Sequence, residues 1–138
     1  MAESPQTILA VDDESDILLI IKTALGSEGY RVLTASDGPE AIAVVKDEIP
    51  DLVILDMMMP EMTGFDVAKA MREDPRMLSV PIIMLTGNTD RAKIREALDQ
   101  GFSYYVTKPF NFHDLTSKVK IALDDAASGA APGLPPLP

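Results

Sequence analysis

Five short apolar runs alternate with five stretches of helical period along this chain. The runs occupy residues 8–11, 32–35, 52–55, 82–85 and 104–106, and the last mixes two tyrosines with a valine. Four or five apolar residues bounded by polar or turn residues fit strands buried on both faces of a sheet; the run at 32–35 is the weakest. Between the runs, apolar positions recur three or four residues apart: Ile17, Ile21, Ala24 and Leu25, then Ala41, Ile42, Val45 and Ile49. The same period returns at Phe65, Ala68 and Met71, at Ile94, Ala97 and Leu98, and at Leu115, Val119 and Ala122. Each set predicts one buried stripe on an amphipathic helix. Asp37 with Glu40 and Thr63 with Asp66 have the spacing of capping boxes, and Asn111 suits an N-cap. Gly29 and Gly101 stand where C-terminal caps belong, and Pro75 follows the third helix. Regular alternation of strand and helix predicts right-handed βαβ units and an α/β fold with a mostly parallel, doubly wound sheet.

Composition narrows the class. The 138 residues allow one compact domain, and 46% apolar residues are enough to give it a core. The balance of 22 acidic against 12 basic side chains, a net charge of −10, argues against direct nucleic-acid binding, which needs clustered cations. With no cysteine, disulfides, thiol catalysis and thiolate metal sites are excluded. The longest aliphatic run, 17–21, is too short to span a bilayer, and the first residues carry neither a basic patch nor an apolar segment of a signal peptide. The chain therefore reads as a soluble, cytoplasmic domain over residues 1–125. Residues 126–138 contain only Ala, Gly, Ser, Pro and Leu and read as a flexible tail or a linker.

In an open parallel sheet, ligands bind beyond the carboxyl ends of the strands. There the first run leads into Asp12 and Asp13, the third into Asp56, the fourth into Thr86, and the fifth into Lys108 and Pro109. Far apart in sequence, these groups would converge on one rim. Three carboxylates so close repel one another unless a proton or cation neutralises them. Oxygen donors without His or Cys favour Mg²⁺. Either Asp12 or Asp13 alone is explained by helix capping, but not both together with Asp56. A carboxylate beside a metal, an ammonium and a hydroxyl can act as a nucleophile toward phosphorus, giving an acyl phosphate. Lys108 precedes a proline, and a cis Lys108–Pro109 bond is expected to fix where its ammonium points. Gly87, after Thr86, is expected to leave room beside the site. His113 reads as a surface residue and Met57, Met58 and Met59 as loop packing.

Four segments together resemble the receiver domains of two-component response regulators: V-D-D-E at 11–14, L-D-M-M-M-P-E-M-T-G at 55–64, M-L-T-G at 84–87 and Y-V-T-K-P-F at 105–110. The resemblance covers about residues 6 to 125. It implies a flavodoxin-like, three-layer fold with five parallel strands in the order 2-1-3-4-5. It further implies that Asp56 accepts a phosphoryl group from the phosphohistidine of a sensor histidine kinase or phosphotransfer protein. Asp12, Asp13, Asp56 and the main-chain carbonyl of Met58 would hold Mg²⁺. Lys108 and Thr86 would bond phosphoryl oxygens, and Tyr105 would turn inward as Thr86 moves. Met58 and Asn88 stand at positions that tune the lifetime of the phosphoform. The output surface of the fourth helix, fifth strand and fifth helix would include Arg91, Ile94, Leu98, Tyr105, Thr107 and Lys118, with one of Ile94 and Leu98 expected in the core instead. It would signal to a partner protein or a fused output domain, with dimerisation on phosphorylation as one route. Such a domain promotes its own phosphotransfer and dephosphorylation but has no turnover substrate.

Three other classes fit less well. A phosphohydrolase of the dehalogenase type places its nucleophile after the first strand and needs a cap domain. A flavin carrier would want a hydroxyl-rich phosphate loop where Asp12 and Asp13 stand. A passive interaction module would make no use of Asp56.

Overall fold

A computed structural model describes residues 5–87, 91–99, 102 and 104–128, without the side chains of positions 91, 93 and 98. The elements run in the order β1 (Thr7–Val11), α1 (Ser15–Ser27), β2 (Arg31–Ala35), α2 (Gly38–Asp47), β3 (Leu52–Asp56) and α3 (Gly64–Arg72). A single 3₁₀ turn (Pro75–Met77) leads to β4 (Ile82–Thr86), α4 (Arg91–Asp99), β5 (Tyr104–Thr107) and α5 (Phe112–Ala127). All pairings are parallel and the strand order is β2-β1-β3-β4-β5, as the resemblance implies.

Burial explains which runs were plainest. Every residue of β1, β3 and β4 is buried, because these central strands carry helices on both faces. One face packs Leu9, Val11, Val53, Leu55 and Met84 against α2, α3 and α4; the other packs Ile8, Ala10, Ile54, Ile83 and Leu85 against α1 and α5. The edge strands β2 and β5 are covered incompletely, which is why the apolar runs at 32–35 and 104–106 are weaker.

Several of the described helix ends obey the local chemistry. Thr63 and Asp66 form a complete capping box at α3, and Asn111 Oδ1 accepts from Asp114 N at 2.7 Å. Gly29, with φ +93°, lies just past α1 in a conformation that an L side chain rarely adopts. At α2, Asp37 caps Glu40 N at 2.8 Å, but the reciprocal arm is not the expected one. Glu40 reaches past Asp37 to accept from Ser36 N at 2.6 Å. Ile49 lies beyond the end of α2, and Ala126 and Ala127, expected in the tail, continue α5. Alanine is the strongest helix former, so the helix persists until Ser128 closes it. Gly101, Asn88 and residues 129–138 lie outside the described residues.

Candidate functional site

Register brings the separated acids together. Val11 pairs with Leu55, so Asp12, one residue on, stands beside Asp56 at the end of β3. Asp12 N continues the β1–β2 ladder to Ala35 O at 3.2 Å, and its Oδ1 accepts from Glu14 N at 2.9 Å. That bond turns the chain into α1. The N-cap of α1 is Glu14, so neither Asp12 nor Asp13 occupies the capping position. One carboxylate oxygen from each of Asp12, Asp13 and Asp56 lies within 4.8 Å of the others. Asp12 and Asp56 are buried and Asp13 is exposed, so the cluster is open on one side.

β5 delivers the counter-charge. Thr86 pairs with Thr107, and Lys108 N donates to Thr86 O at 2.7 Å, fixing the chain just before the cis Lys108–Pro109 bond. Lys108 Nζ stands 2.7 Å from Asp12 Oδ2, 3.3 Å from Glu14 Oε2 and 3.4 Å from Asp56 Oδ2. One ammonium thus faces three carboxylates. Burial pulls the Lys108 pKa down, but the contacts with Asp12, Asp56 and Glu14 outweigh it and leave it raised. At Asp56, burial is the leading cause of a pKa pushed up to about 6, and the Asp12 charge adds to it. The N–H of Met58, 3.0 Å from Asp56 Oδ1, and the charge on Lys108 pull the other way. Buried at 3% exposure with its own charge disfavoured, Asp56 is poised to accept a positive or electrophilic partner.

The donor set fits a hard divalent cation. All three groups are carboxylates, which suit Mg²⁺ better than a soft metal. Asp12 Oδ2 is buried with no hydrogen-bond partner, and its one cationic neighbour among the described residues is the Lys108 ammonium, paired at 2.7 Å. A buried carboxylate oxygen without a donor is costly unless a cation completes it.

The other expected residues lie around this cluster. Thr86 is buried at the end of β4, facing the same rim. Its neighbour Gly87 has no heavy atom within 4 Å of where a Cβ would stand, so the glycine is not required to make room. Gly64 is required. A Cβ there would lie 2.8 Å from both Asp56 O and Met57 Cα. Met57 and Met59 are buried while Met58 is 61% exposed at the mouth of the site. Glu61, with φ +71°, turns the loop between Asp56 and α3.

This arrangement has close counterparts. Residues 8–120 match the response regulator receiver domain. The chain belongs to that family. The receiver is 36% identical to the chemotaxis protein CheY4 of Vibrio cholerae, with a TM-score of 0.82, covering 86% of this chain and 98% of that one. A CheY-like receiver domain protein from Methanospirillum hungatei matches with a TM-score of 0.83 at 33% identity, over 91% of this chain and 99% of that one. Among curated relatives, the probable transcriptional regulator ycf27 of Guillardia theta is 43% identical over 121 residues, 88% of this chain and 46% of its own length. The phosphate regulon transcriptional regulatory protein PhoB of Pseudomonas aeruginosa is 37% identical over 124 residues, 90% of this chain and 54% of its own length. The chain spans about half the length of the curated relatives it matches. Among the receiver's described residues no helix is long and apolar enough to cross a membrane.

On the face expected to signal, Tyr105 is 37% exposed with Lys118 Nζ 5.5 Å from its ring centroid. Thr107 is half-buried. Of Ile94 and Leu98, one of which was expected in the core, Ile94 packs against the core on the α2–α4 side of the sheet. The side chains of Arg91 and Leu98 fall outside the described residues. Sequence reasoning missed Glu14. The third acid of V-D-D-E was visible, but nothing marked it apart from an ordinary acidic residue at a helix start.

Proposed function

We propose that this receiver is a phosphorylation-driven switch in which Asp56 is the phosphoacceptor. The convergence of Asp12, Asp13 and Asp56 within 4.8 Å, with Lys108 Nζ 3.4 Å from Asp56, carries the reading. Family membership supports it, since receivers of two-component systems are phosphoacceptor switches. The donor is the phosphohistidine of a sensor histidine kinase or phosphotransfer protein. Asp56 attacks phosphorus, an O–P bond forms, the P–N bond breaks, and the electron pair and a proton restore neutral imidazole. Asp12, Asp13, Asp56 and the main-chain carbonyl of Met58 would hold Mg²⁺. When bound, the ion neutralises the carboxylates and the developing charge on the phosphoryl oxygens.

The chain's own groups do the rest. At neutral pH a carboxyl with a pKa of about 6 is mostly ionised, so Asp56 is available as a nucleophile. Lys108, anchored through its backbone to Thr86 O, offers N–H donors to a phosphoryl oxygen, and the Thr86 hydroxyl offers another. Movement of Thr86 draws Tyr105 inward, away from Lys118, and changes the surface of α4, β5 and α5. Met58 and Asn88 set how readily water reaches the phosphoryl group. The output is a partner protein or a second domain in a longer chain, reached through a linker after α5. Homodimerisation on phosphorylation is one way to transmit the change. The domain has no turnover substrate, and it works in the cytoplasm, where ATP charges such kinases.

Intact mass after incubation with a small acyl phosphate, with and without Mg²⁺, tests the proposal. One phosphoryl adduct that requires both Mg²⁺ and Asp56 supports it. An adduct retained in Asp56→Asn, or none in the wild type, overturns it.

A further inference from the structure

We infer that Glu14 is a positioning residue that holds the Lys108 ammonium in the unphosphorylated domain and competes for it with an incoming phosphoryl group. The inference rests on the phosphoacceptor reading of Asp56 and concerns the same site.

Glu14 sits where its side chain would ordinarily be used to cap a helix. It is the N-cap of α1, with extended backbone (φ −96°, ψ 113°), yet its side chain makes no capping hydrogen bond. Its backbone is fixed instead by donation to Asp12 Oδ1. This leaves the carboxylate free to reach across the rim to Lys108 Nζ, 94 residues away in sequence, at 3.3 Å. Glu14 is thus placed by one acid of the site and in contact with its cation.

The three carboxylates around Lys108 are not equivalent. Asp12 and Asp56 are buried and held by the ends of β1 and β3, whereas the Glu14 side chain is 61% exposed. The ammonium donates to Glu14 and Asp56 and forms an ion pair with Asp12 at 2.7 Å, so carboxylates surround it. A phosphoryl group on Asp56 needs one of the ammonium's N–H donors. Releasing Asp12 or Asp56 would leave a buried charge uncompensated, while releasing Glu14 returns a flexible carboxylate to water. Glu14 is therefore the partner that the phosphoryl group replaces. Its negative charge at the mouth also opposes the approach of an anionic donor.

Binding of beryllium fluoride, a stable stand-in for the phosphoryl group, measured by titration in saturating Mg²⁺ tests this. Glu14→Gln should bind the probe about threefold to fivefold more tightly than wild type, within the range of an exposed ion pair. The gain should shrink toward unity in high salt, because an exposed pair is screened. Glu14→Asp, which keeps the charge but shortens the arm by one methylene, should behave like Glu14→Gln if the contact with Lys108 matters. Affinity for Mg²⁺ alone should change less than twofold in both variants.

Unchanged or weaker probe binding in Glu14→Gln overturns the inference. So does a Glu14→Asp variant that matches wild type, which would leave only a general field effect. A parallel loss of Mg²⁺ affinity would overturn it too, by assigning Glu14 to the metal site instead. Wild-type protein that binds no beryllium fluoride, or binds it equally as Asp56→Asn, fails the phosphoacceptor reading itself and this inference with it.

Discussion

The two ends of the sheet treat their charged groups in opposite ways. At the amino end of the strands, the acids that form bonds each have a donor of their own. Asp51 Oδ2 accepts from Thr7 N at 2.7 Å, Arg31 pairs with Glu48, and the Tyr104 hydroxyl donates to Asp125. At the carboxyl end, Asp12, Glu14 and Asp56 share the ammonium of Lys108, and Asp13 adjoins Asp12 and Asp56. The amino-end acids do not compete for a donor; three carboxylates at the other end share one ammonium. The same strands run through both, so the difference lies in the residues that flank each strand. A rim left under-neutralised in an otherwise well-paired domain marks where a ligand completes the structure.

Asp56→Asn should break the contrast most sharply. It should abolish the phosphoryl adduct seen by intact mass while the far-ultraviolet circular dichroism is unchanged. The same variant should reveal the strain of the carboxyl end. The Asp56 pKa is about 6 in the folded chain, above the ordinary aspartate value of 3.8, so the folded state binds more protons between those values. Stability contributed by this group therefore falls as pH rises through about 4 to 6. In Mg²⁺-free buffer at pH 7.5, Asp56→Asn should be stabilised on the order of 2 kcal/mol in urea unfolding. The gain should disappear near pH 4, where the carboxyl is largely protonated in the folded state and half protonated in the unfolded one.

How much of this could be read from the chain differs between the two ends. The carboxyl end was legible because each acid comes directly after a fully buried run, so Val11 and Leu55 announce Asp12 and Asp56. The strand order came from the resemblance rather than from periodicity, which says nothing about which strands are neighbours. Glu14 was not legible, since its role depends on Lys108, brought from 94 residues away by β5. Nor was the redirected arm of Glu40, which chooses between two adjacent N–H groups on geometry alone. Ile94 reads equally well as core or surface on a helix with few apolar residues, and packing decided for the core.

Asp12→Asn and Asp13→Asn should each weaken Mg²⁺ binding by about tenfold or more, measured by calorimetric titration, since each removes a charged oxygen donor from the cluster. Unchanged affinity in both would move the cation elsewhere. The amino end should respond least. Tyr104→Phe, which removes the hydroxyl bonded to Asp125, should cost no more than about 1 kcal/mol in urea unfolding and leave Mg²⁺ affinity and the phosphoryl adduct untouched. A loss of phosphorylation in that variant would couple two ends that the structure keeps separate.

Gly64 gives the rim a further property. Its N–H meets Met57 O at 3.3 Å, and any side chain there would run into the backbone of Asp56 and Met57. In a saturation scan read out by signalling, position 64 would look as intolerant as Asp56 itself, although it carries no reactive group. Substituted chains would remain abundant yet silent. A glycine would then score among the sites of loss of function, and its defect would be architectural: the floor under Asp56 displaced by the width of one carbon.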